Sequence, residues 1–145
     1  MSKKVYIFLA DGFEDIEGLT VVDLLRRAGI DIKTVSIKET TQIQTSHGIT
    51  MLTDTTFAET DFTDADMLVL PGGMPGTKYL AAYKPLTDLL TDFNNKGKKN
   101  RRYLRSTKRI LRTRIPQRQK SHILPILHGS HRQRRRPDQR RQRSS

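Results

Sequence analysis

The composition of the chain changes abruptly near Asn100, and only the part before that point has the residues of a folded domain. Residues 1–100 contain 11 Lys and Arg against 14 Asp and Glu, whereas residues 101–145 contain 16 Lys and Arg against a single acid. Arg accounts for 2 of the 11 basic residues before the break and for 14 of the 16 after it. The last 45 residues lack Ala, Val, Phe, Met and Glu, which are common in folded domains. We therefore predict a folded unit over residues 1–99 and a basic tail over residues 100–145.

Length and composition restrict the class of protein. A chain of 145 residues allows one domain. The formal net charge of +12 averages two unlike regions, so it does not indicate a nucleic-acid partner for the folded unit. The absence of cysteine excludes a disulfide framework and any Cys-ligated metal. Neither a signal peptide nor an apolar run of about 20 residues is evident, so we expect a cytoplasmic protein with no membrane partner.

Apolar periodicity in the first hundred residues predicts an α/β fold. The runs at residues 5–9 and 67–70 are typical of strands buried on both faces of a parallel sheet. Residues 15–28 show helical spacing, with acids in the first turn and Gly29 just beyond the end. The other predicted elements are a strand at 30–37, a hairpin at 42–53 and a helix at 85–93. This order predicts a parallel sheet with helices on both faces and a core that includes Val5, Ile7, Leu9, Leu68 and Val69.

Two features of this pattern follow buried strands, at the carboxyl edge where such sheets bind ligands. Glu17 is either a solvated carboxylate in the first turn of a helix or an acid that exchanges a proton with a nucleophile. Gly72 and Gly73 form either a tight turn or a pair of backbone N–H donors for an oxyanion. We expect Glu17 and the two glycines to approach one another at this edge.

The histidines point to no metal site. His47 lies in the predicted hairpin turn, where we expect it to be exposed and inert. The three histidines of the tail have no thiol near them and only one acid, Asp138; they are His122, His128 and His131. We expect neither a metal nor a cofactor.

Three separated segments of the first hundred residues form distinctive motifs. Residues 5–17 read VYIFLADGFEDIE, residues 23–30 read DLLRRAGI, and residues 68–76 read LVLPGGMPG. Together they resemble the ThiJ/PfpI superfamily, the family of the parkinsonism-associated deglycase. The resemblance covers residues 3–99. It implies a flavodoxin-like, class I glutamine amidotransferase-like fold that is truncated in this chain. It also implies a homodimeric parent enzyme that acts on small carbonyl substrates or glycated proteins.

The resemblance also implies roles for the candidate residues. Glu17 matches the protonated glutamate that hydrogen-bonds the nucleophile, and Gly72 and Gly73 match the oxyanion pair. The family nucleophile is a cysteine on a strand-to-helix elbow, shortly after a Lys-Gly-Lys-like turn. That turn is present at residues 96–99, but the cysteine is absent and Leu104 stands at the aligned position. We therefore expect the parent to be a deglycase, a glyoxalase or a related hydrolase, and this chain to be inactive.

A shift of reading frame is our hypothesis for the origin of the tail. One choice of codons for residues 100–107, read one base later, gives Ile-Ala-Ala-Ile-Cys-Ala-Ala-Pro, which resembles the elbow of the family. The same shift converts residues 117–124 into Lys-Gly-Lys-Lys-Ala-Ile-Ser-Tyr, which resembles its next strand. We hypothesise a frameshift near codon 100, either real or introduced by sequencing.

Two other interpretations of the tail remain open. In the first, the tail is a selected Arg-rich arm that binds nucleic acid or anionic lipid, and the protein is a basic or regulatory protein with a degenerate fold. In the second, it is a solvated tail without a specific function. In the frameshift interpretation, any polyanion binding lacks sequence preference. We predict that residues from about 101 onward are disordered, or at most transiently helical around residues 101–114. We also expect strands 5–9 and 67–70 to be left with unpaired edges and uncovered apolar faces, so that the folded part is marginally stable.

Overall fold

The structure is a computed structural model that describes residues 3–95. In this part of the chain, a four-stranded parallel sheet carries helices on both faces, and a small antiparallel hairpin lies beside it. The elements are, in order, β1 (Lys4–Leu9), α1 (Asp15–Arg27), β2 (Asp31–Ser36), β3 (Gln42–Gln44), β4 (Thr50–Leu52), β5 (Thr55–Thr56), β6 (Met67–Val69), α2 (Gly76–Ala82) and α3 (Lys84–Asn95). The α/β architecture expected from the sequence is confirmed.

The strand order of the sheet is β5-β2-β1-β6, which makes β1 a central strand. Val5 pairs with Ile32 of β2 on one side and with Met67 of β6 on the other, both in parallel register. The expectation that residues 5–9 are left with an unpaired edge is therefore wrong, because β2 and β6 flank β1. Strand β6 does lie at an edge of the sheet formed by residues 3–95.

Alternate residues of β1 point to opposite faces of the sheet, as in any strand, and so divide the core into two clusters. One cluster, here called the aromatic face, contains Tyr6, Phe8, Val35, Leu68, Leu70, Leu80, Leu86, Leu90 and Phe93 with partly buried Phe57, Phe62 and Tyr83. The other, here called the aliphatic face, contains Val5, Ile7, Leu9, Phe13, Val22, Ile32, Ile43 and Val69. All five predicted core residues are buried.

Each face is covered by helices from a different part of the chain. Helix α1 covers the aliphatic face, and the side chain of Glu14 caps its first turn by accepting a hydrogen bond from the Glu17 N–H. Helices α2 and α3 cover the aromatic face, where Leu86, Leu90 and Phe93 of α3 are buried. The apolar faces of β6 are therefore covered, contrary to the expectation from the sequence.

Two elements were missed by the sequence prediction. Helix α2 has only seven residues and no side-chain N-cap, and β5 has only two residues, so neither shows a clear periodicity. The predicted disorder of the tail, Leu104 and the tail histidines lie outside the described residues.

Candidate functional site

The candidate site lies at the carboxyl edge of the sheet, where the loops after β1 and β6 meet. The loop after β1 leads directly into α1, whose cap at Glu14 fixes the backbone of Glu17 in the first helical turn. The loop after β6 carries Gly72 and Gly73. Because β1 and β6 are adjacent and parallel, their carboxyl ends open on the same edge, and the two loops come into contact.

Two reciprocal hydrogen bonds join these loops. The Gly72 N–H donates to Oε2 of Glu17 at 2.6 Å, and the Gly72 carbonyl accepts from the Glu14 N–H at 2.9 Å. Glu17 is only partly exposed. A short bond from a backbone amide to a carboxylate favours a fixed side-chain position. The structure thus brings together Glu17 and Gly72, which are 55 residues apart in the sequence.

The glycines of the second loop allow a close approach of backbone to backbone. A Cβ atom on Gly72 would collide with the carboxylate of Glu17, and one on Gly73 would collide with the backbone of Gly12 and Glu14. Gly73 also has a φ of 101°, which disfavours any other residue. The loop therefore needs these glycines to dock against the turn after β1, whatever chemistry takes place there.

The contact with Glu17 bears on the oxyanion role that the resemblance implies. In this structure the Gly72 N–H is already bonded to a carboxylate. A developing oxyanion would compete with that carboxylate for the same donor, since one N–H makes one strong hydrogen bond. An oxyanion at this amide therefore requires Glu17 to be protonated, displaced or shared.

A second cluster at the same edge was missed by the sequence prediction. Nδ1 of His47 lies 2.7 Å from Oδ2 of Asp15, and the Ser46 hydroxyl donates to the same oxygen at 3.2 Å. Interactions with Thr45 and with the His47 ring lower the pKa of Asp15 to about 2. The hydrogen bond and the charge of Asp15 raise the pKa of His47. His47 is exposed as predicted, but it is not inert, because it ties the β3–β4 hairpin to the start of α1.

A further contact holds the same hairpin. Asp11 accepts hydrogen bonds from the Gln44 N–H and from the Lys38 ammonium group, both at 2.9 Å. The Gly12 N–H also donates to the Gln44 carbonyl at 2.8 Å. The acids that follow β1 thus have a structural function, which is to dock the hairpin against the candidate site.

In the described part of the chain, Glu14, Asp15 and His47 form a group whose ligand atoms lie within 4.8 Å of one another. Each has a partner already: Glu14 caps α1, and Asp15 and His47 bind each other. The group also sits at the positive end of a helix dipole, which disfavours a cation. We assign this group a structural role, which is to hold the β3–β4 hairpin against the start of α1.

The described residues form a parallel α/β sheet in which a glutamate binds a glycine loop at the carboxyl edge. This combination of fold and site can be compared with those of known protein families. The chain matches the model of the DJ-1/PfpI family over residues 3–100. It belongs to this family, as the resemblance of its motifs indicates. The match ends where the composition changes.

Known proteins of this family are similar over the same region. Protein DJ-1 homolog B of Arabidopsis thaliana is 37% identical over 101 residues, which are 68% of this chain and 23% of that protein. Protein dj-1beta of Drosophila melanogaster is 32% identical over 97 residues, 67% of this chain and 52% of that protein. The chain thus spans about half or less of the length of these relatives.

Solved structures show the same fold. The crystal structure of Drosophila melanogaster DJ-1beta has a TM-score of 0.64 at 32% identity and covers 67% of this chain and 52% of that one. A mutant of a DJ-1 superfamily protein from Salmonella typhimurium has a TM-score of 0.63 at 36% identity, with coverages of 66% and 51%. Within residues 3–95, every helix is too short or too polar to cross a lipid bilayer.

Proposed function

We propose that this chain is the amino-terminal part of a cysteine-dependent enzyme that acts on glyoxal-type or glycated substrates, and that the chain itself is inactive. The observation that supports this most directly is the 2.6 Å contact between Glu17 and Gly72 at the carboxyl edge of the sheet. This contact supports a role for Glu17 in proton exchange beside the loop that the family resemblance assigns to an oxyanion. Membership in the DJ-1/PfpI family supports the same class.

The proposed chemistry is the addition of a thiolate to a carbonyl carbon. A sulfur–carbon bond forms, and the π electrons of the C=O bond move to its oxygen. The Gly72 and Gly73 amides stabilise that oxygen, and Glu17 exchanges the proton with the thiol. In the resting chain Glu17 holds the Gly72 N–H, so this carboxyl group and the substrate oxygen share one donor during the reaction.

The chain lacks the nucleophile that this chemistry requires. It contains no cysteine, and Leu104 stands where the family nucleophile aligns. A leucine side chain can neither form a bond to a carbonyl carbon nor carry a proton. We infer that a frameshift near codon 100 removed the nucleophile, which also agrees with the end of the family match at residue 100.

The test compares this chain with the product of a gene whose frame is corrected at codon 100. The corrected protein should consume methylglyoxal above a buffer blank, and Glu17→Gln in that protein should abolish most of the turnover. The 145-residue chain should show none. Its Leu104→Cys variant is the matched control: it restores a thiol without the elbow and should remain inactive. Turnover by the unmodified chain, or none by the corrected protein, would contradict the proposal.

The basic tail supports a second candidate function. Fourteen Arg in 45 residues provide many phosphate-binding groups. A nucleic-acid or regulatory role predicts sequence preference, whereas accidental translation predicts binding to any polyanion. Competition between unrelated RNA and DNA sequences at several salt concentrations separates the two, with a variant that ends at Lys99 as the control.

We also propose that the frame-corrected parent is a homodimer in the cytoplasm. The exposed Ile16 and Leu24 of α1 support a partner on this helix, because they are large apolar side chains at the surface of the described residues. Sedimentation of the corrected protein tests the dimer.

A further inference from the structure

The methionines of the described residues differ in their surroundings. Met51 and Met67 are partly buried and pack against the aliphatic face. Met74 belongs to neither core cluster and is 58% exposed. A methionine that does not fill space in the core leaves a polarisable thioether open to reagents in water. The packing of the fold therefore explains Met51 and Met67 but does not explain Met74.

The backbone on both sides of Met74 is held in place. Before it, the Gly73 carbonyl accepts a hydrogen bond from the Thr77 N–H at 2.9 Å. After it, the Gly76 N–H donates to the Gly12 carbonyl at 3.2 Å. Gly76 packs so closely against the turn after β1 that it has no room for a Cβ atom. A fixed backbone thus carries this exposed side chain, so a reaction at its sulfur changes the side chain and leaves the fold in place.

The composition of the chain directs oxidants to methionine. The chain contains four Met, no Cys and no Trp. Peroxides react with the sulfur atoms of thiolates and thioethers, because these carry polarisable lone pairs. Since the chain has no thiol, its thioethers are the sulfur atoms that a peroxide meets. Among residues 3–95, Met74 is the most exposed methionine.

We propose that Met74 is a site of reversible oxidation by hydrogen peroxide or an alkyl hydroperoxide. A lone pair of the sulfur attacks the terminal peroxide oxygen, a sulfur–oxygen bond forms, and the O–O bond breaks. The other oxygen takes up the proton that the transferred oxygen loses and leaves as water or an alcohol. The sulfur loses two electrons, the peroxide gains two, and the product is methionine sulfoxide.

This oxidation changes the surface next to the candidate site. Met74 lies two residues from Gly72, whose N–H is bonded to Glu17. A thioether is apolar, whereas a sulfoxide is polar and accepts hydrogen bonds. The loop thus presents an apolar side chain before oxidation and a polar one after it. The oxidation does not depend on the proposed function, because the reaction needs only the thioether and a peroxide.

The test exposes the full 145-residue chain to hydrogen peroxide and follows the added oxygen at each methionine by tandem mass spectrometry. The same chain in concentrated urea is the matched control, because unfolding exposes Met51, Met67 and Met74 alike. A Met74→Leu variant keeps a side chain of similar size without the sulfur, and it shows which part of the oxygen uptake belongs to this residue. Methionine sulfoxide reductases with a thiol reductant are then added to test reversal.

In the folded chain, we expect Met74 to be oxidised at least about tenfold faster than Met51 and Met67, and in urea at the same rate as both. The oxidised chain should keep its unfolding midpoint in urea. Hydrogen exchange at Gly72 should stay slow, because Glu17 still holds that amide. The reductases should restore the thioether. A smaller difference in rate in the folded chain, a lower midpoint, faster exchange at Gly72 or failure of the reductases would overturn the proposal.

Discussion

The aromatic and aliphatic faces of the sheet are covered to different extents. On the aromatic face, α3 buries an apolar stripe of Leu86, Leu90 and Phe93. On the aliphatic face, α1 buries only Gly18 and Val22, and it leaves other apolar residues at the surface. Ile16 is 72% exposed and Leu24 is 59% exposed. Helix α1 carries Glu17 of the candidate site and also leaves large apolar side chains exposed, whereas α3 contributes mainly to the core.

The sharpest test of this comparison is a leucine truncation in α3. Leu90 is 1% exposed, so Leu90→Ala should leave a cavity on the aromatic face and lower the free energy of unfolding by about 2–5 kcal/mol. Urea unfolding followed by circular dichroism measures the change. A loss below about 1 kcal/mol would show that α3 packs loosely and that the two faces do not differ as described.

A smaller effect is expected at Gly72, whose N–H bonds the carboxylate of Glu17 in α1. Gly72→Ala directs a methyl group into the Glu17 carboxylate and should cost about 1–3 kcal/mol in the free energy of unfolding. The same substitution in a Glu17→Ala background should cost less than about 0.5 kcal/mol, because the colliding group is gone. This double-mutant cycle measures the coupling between the two residues. Additive costs would mean that the contact does not form in solution.

A still smaller effect concerns the hairpin on the aliphatic face. The pKa of His47 is raised in the folded chain, so its pairing with Asp15 makes its full contribution to stability below pH 6.5, which is the ordinary pKa of a histidine. This stabilisation is lost as the pH rises through the higher pKa of the folded chain. The pKa of Asp15, lowered to about 2, adds a contribution that is present above pH 3.8 and lost as the pH falls toward 2.

His47→Ala should therefore destabilise the chain most between about pH 4 and 6.5 and less at pH 8. Thermal unfolding of both proteins across this range provides the comparison. His128→Ala, a change of the same kind in the tail, is the control for nonspecific loss of a histidine. An effect of His47→Ala that does not vary with pH would exclude the ion pair as its cause.

The least effect is expected for a leucine of α1. Leu24→Ala removes a side chain that is already largely in water, so the free energy of unfolding should change by less than about 0.5 kcal/mol. This variant is the matched partner of the α3 truncation, since both remove the same atoms from a helix. A loss comparable to that of the α3 variant would mean that Leu24 is covered in solution in this chain and that the two helices do not differ as described.

The long elements of the fold could be predicted because each carries its own periodic signal. The apolar run of β1 indicates burial, and the helical spacing of residues 15–28 indicates a helix, without knowledge of their partners. The contact of Glu17 with the Gly72 loop was also predictable, because both follow strands that end at one edge of a parallel sheet. These features depend on local pattern and on general rules of topology.

The rest of the site depends on long-range docking. The pairing of Asp15 with His47 exists because the hairpin folds back on the loop after β1, with a bridge between Phe13 and Thr45. Nothing in the periodicity of residues 42–53 specifies that placement. In the same way, the Gly72 N–H is occupied because Glu14 fixes the direction of Glu17, which requires the cap geometry itself.

The central place of β1 has a consequence for synthesis of the protein. Val5 pairs with Ile32 on one side and with Met67 on the other, so its second partner is encoded some 60 residues later. At about 5–20 residues per second, a ribosome takes roughly 3–12 s to make that partner. During this interval the apolar first strand has one side open to any extended chain nearby. The nascent protein is therefore most vulnerable to mispairing before β6 emerges, however well β1 is enclosed in the finished fold.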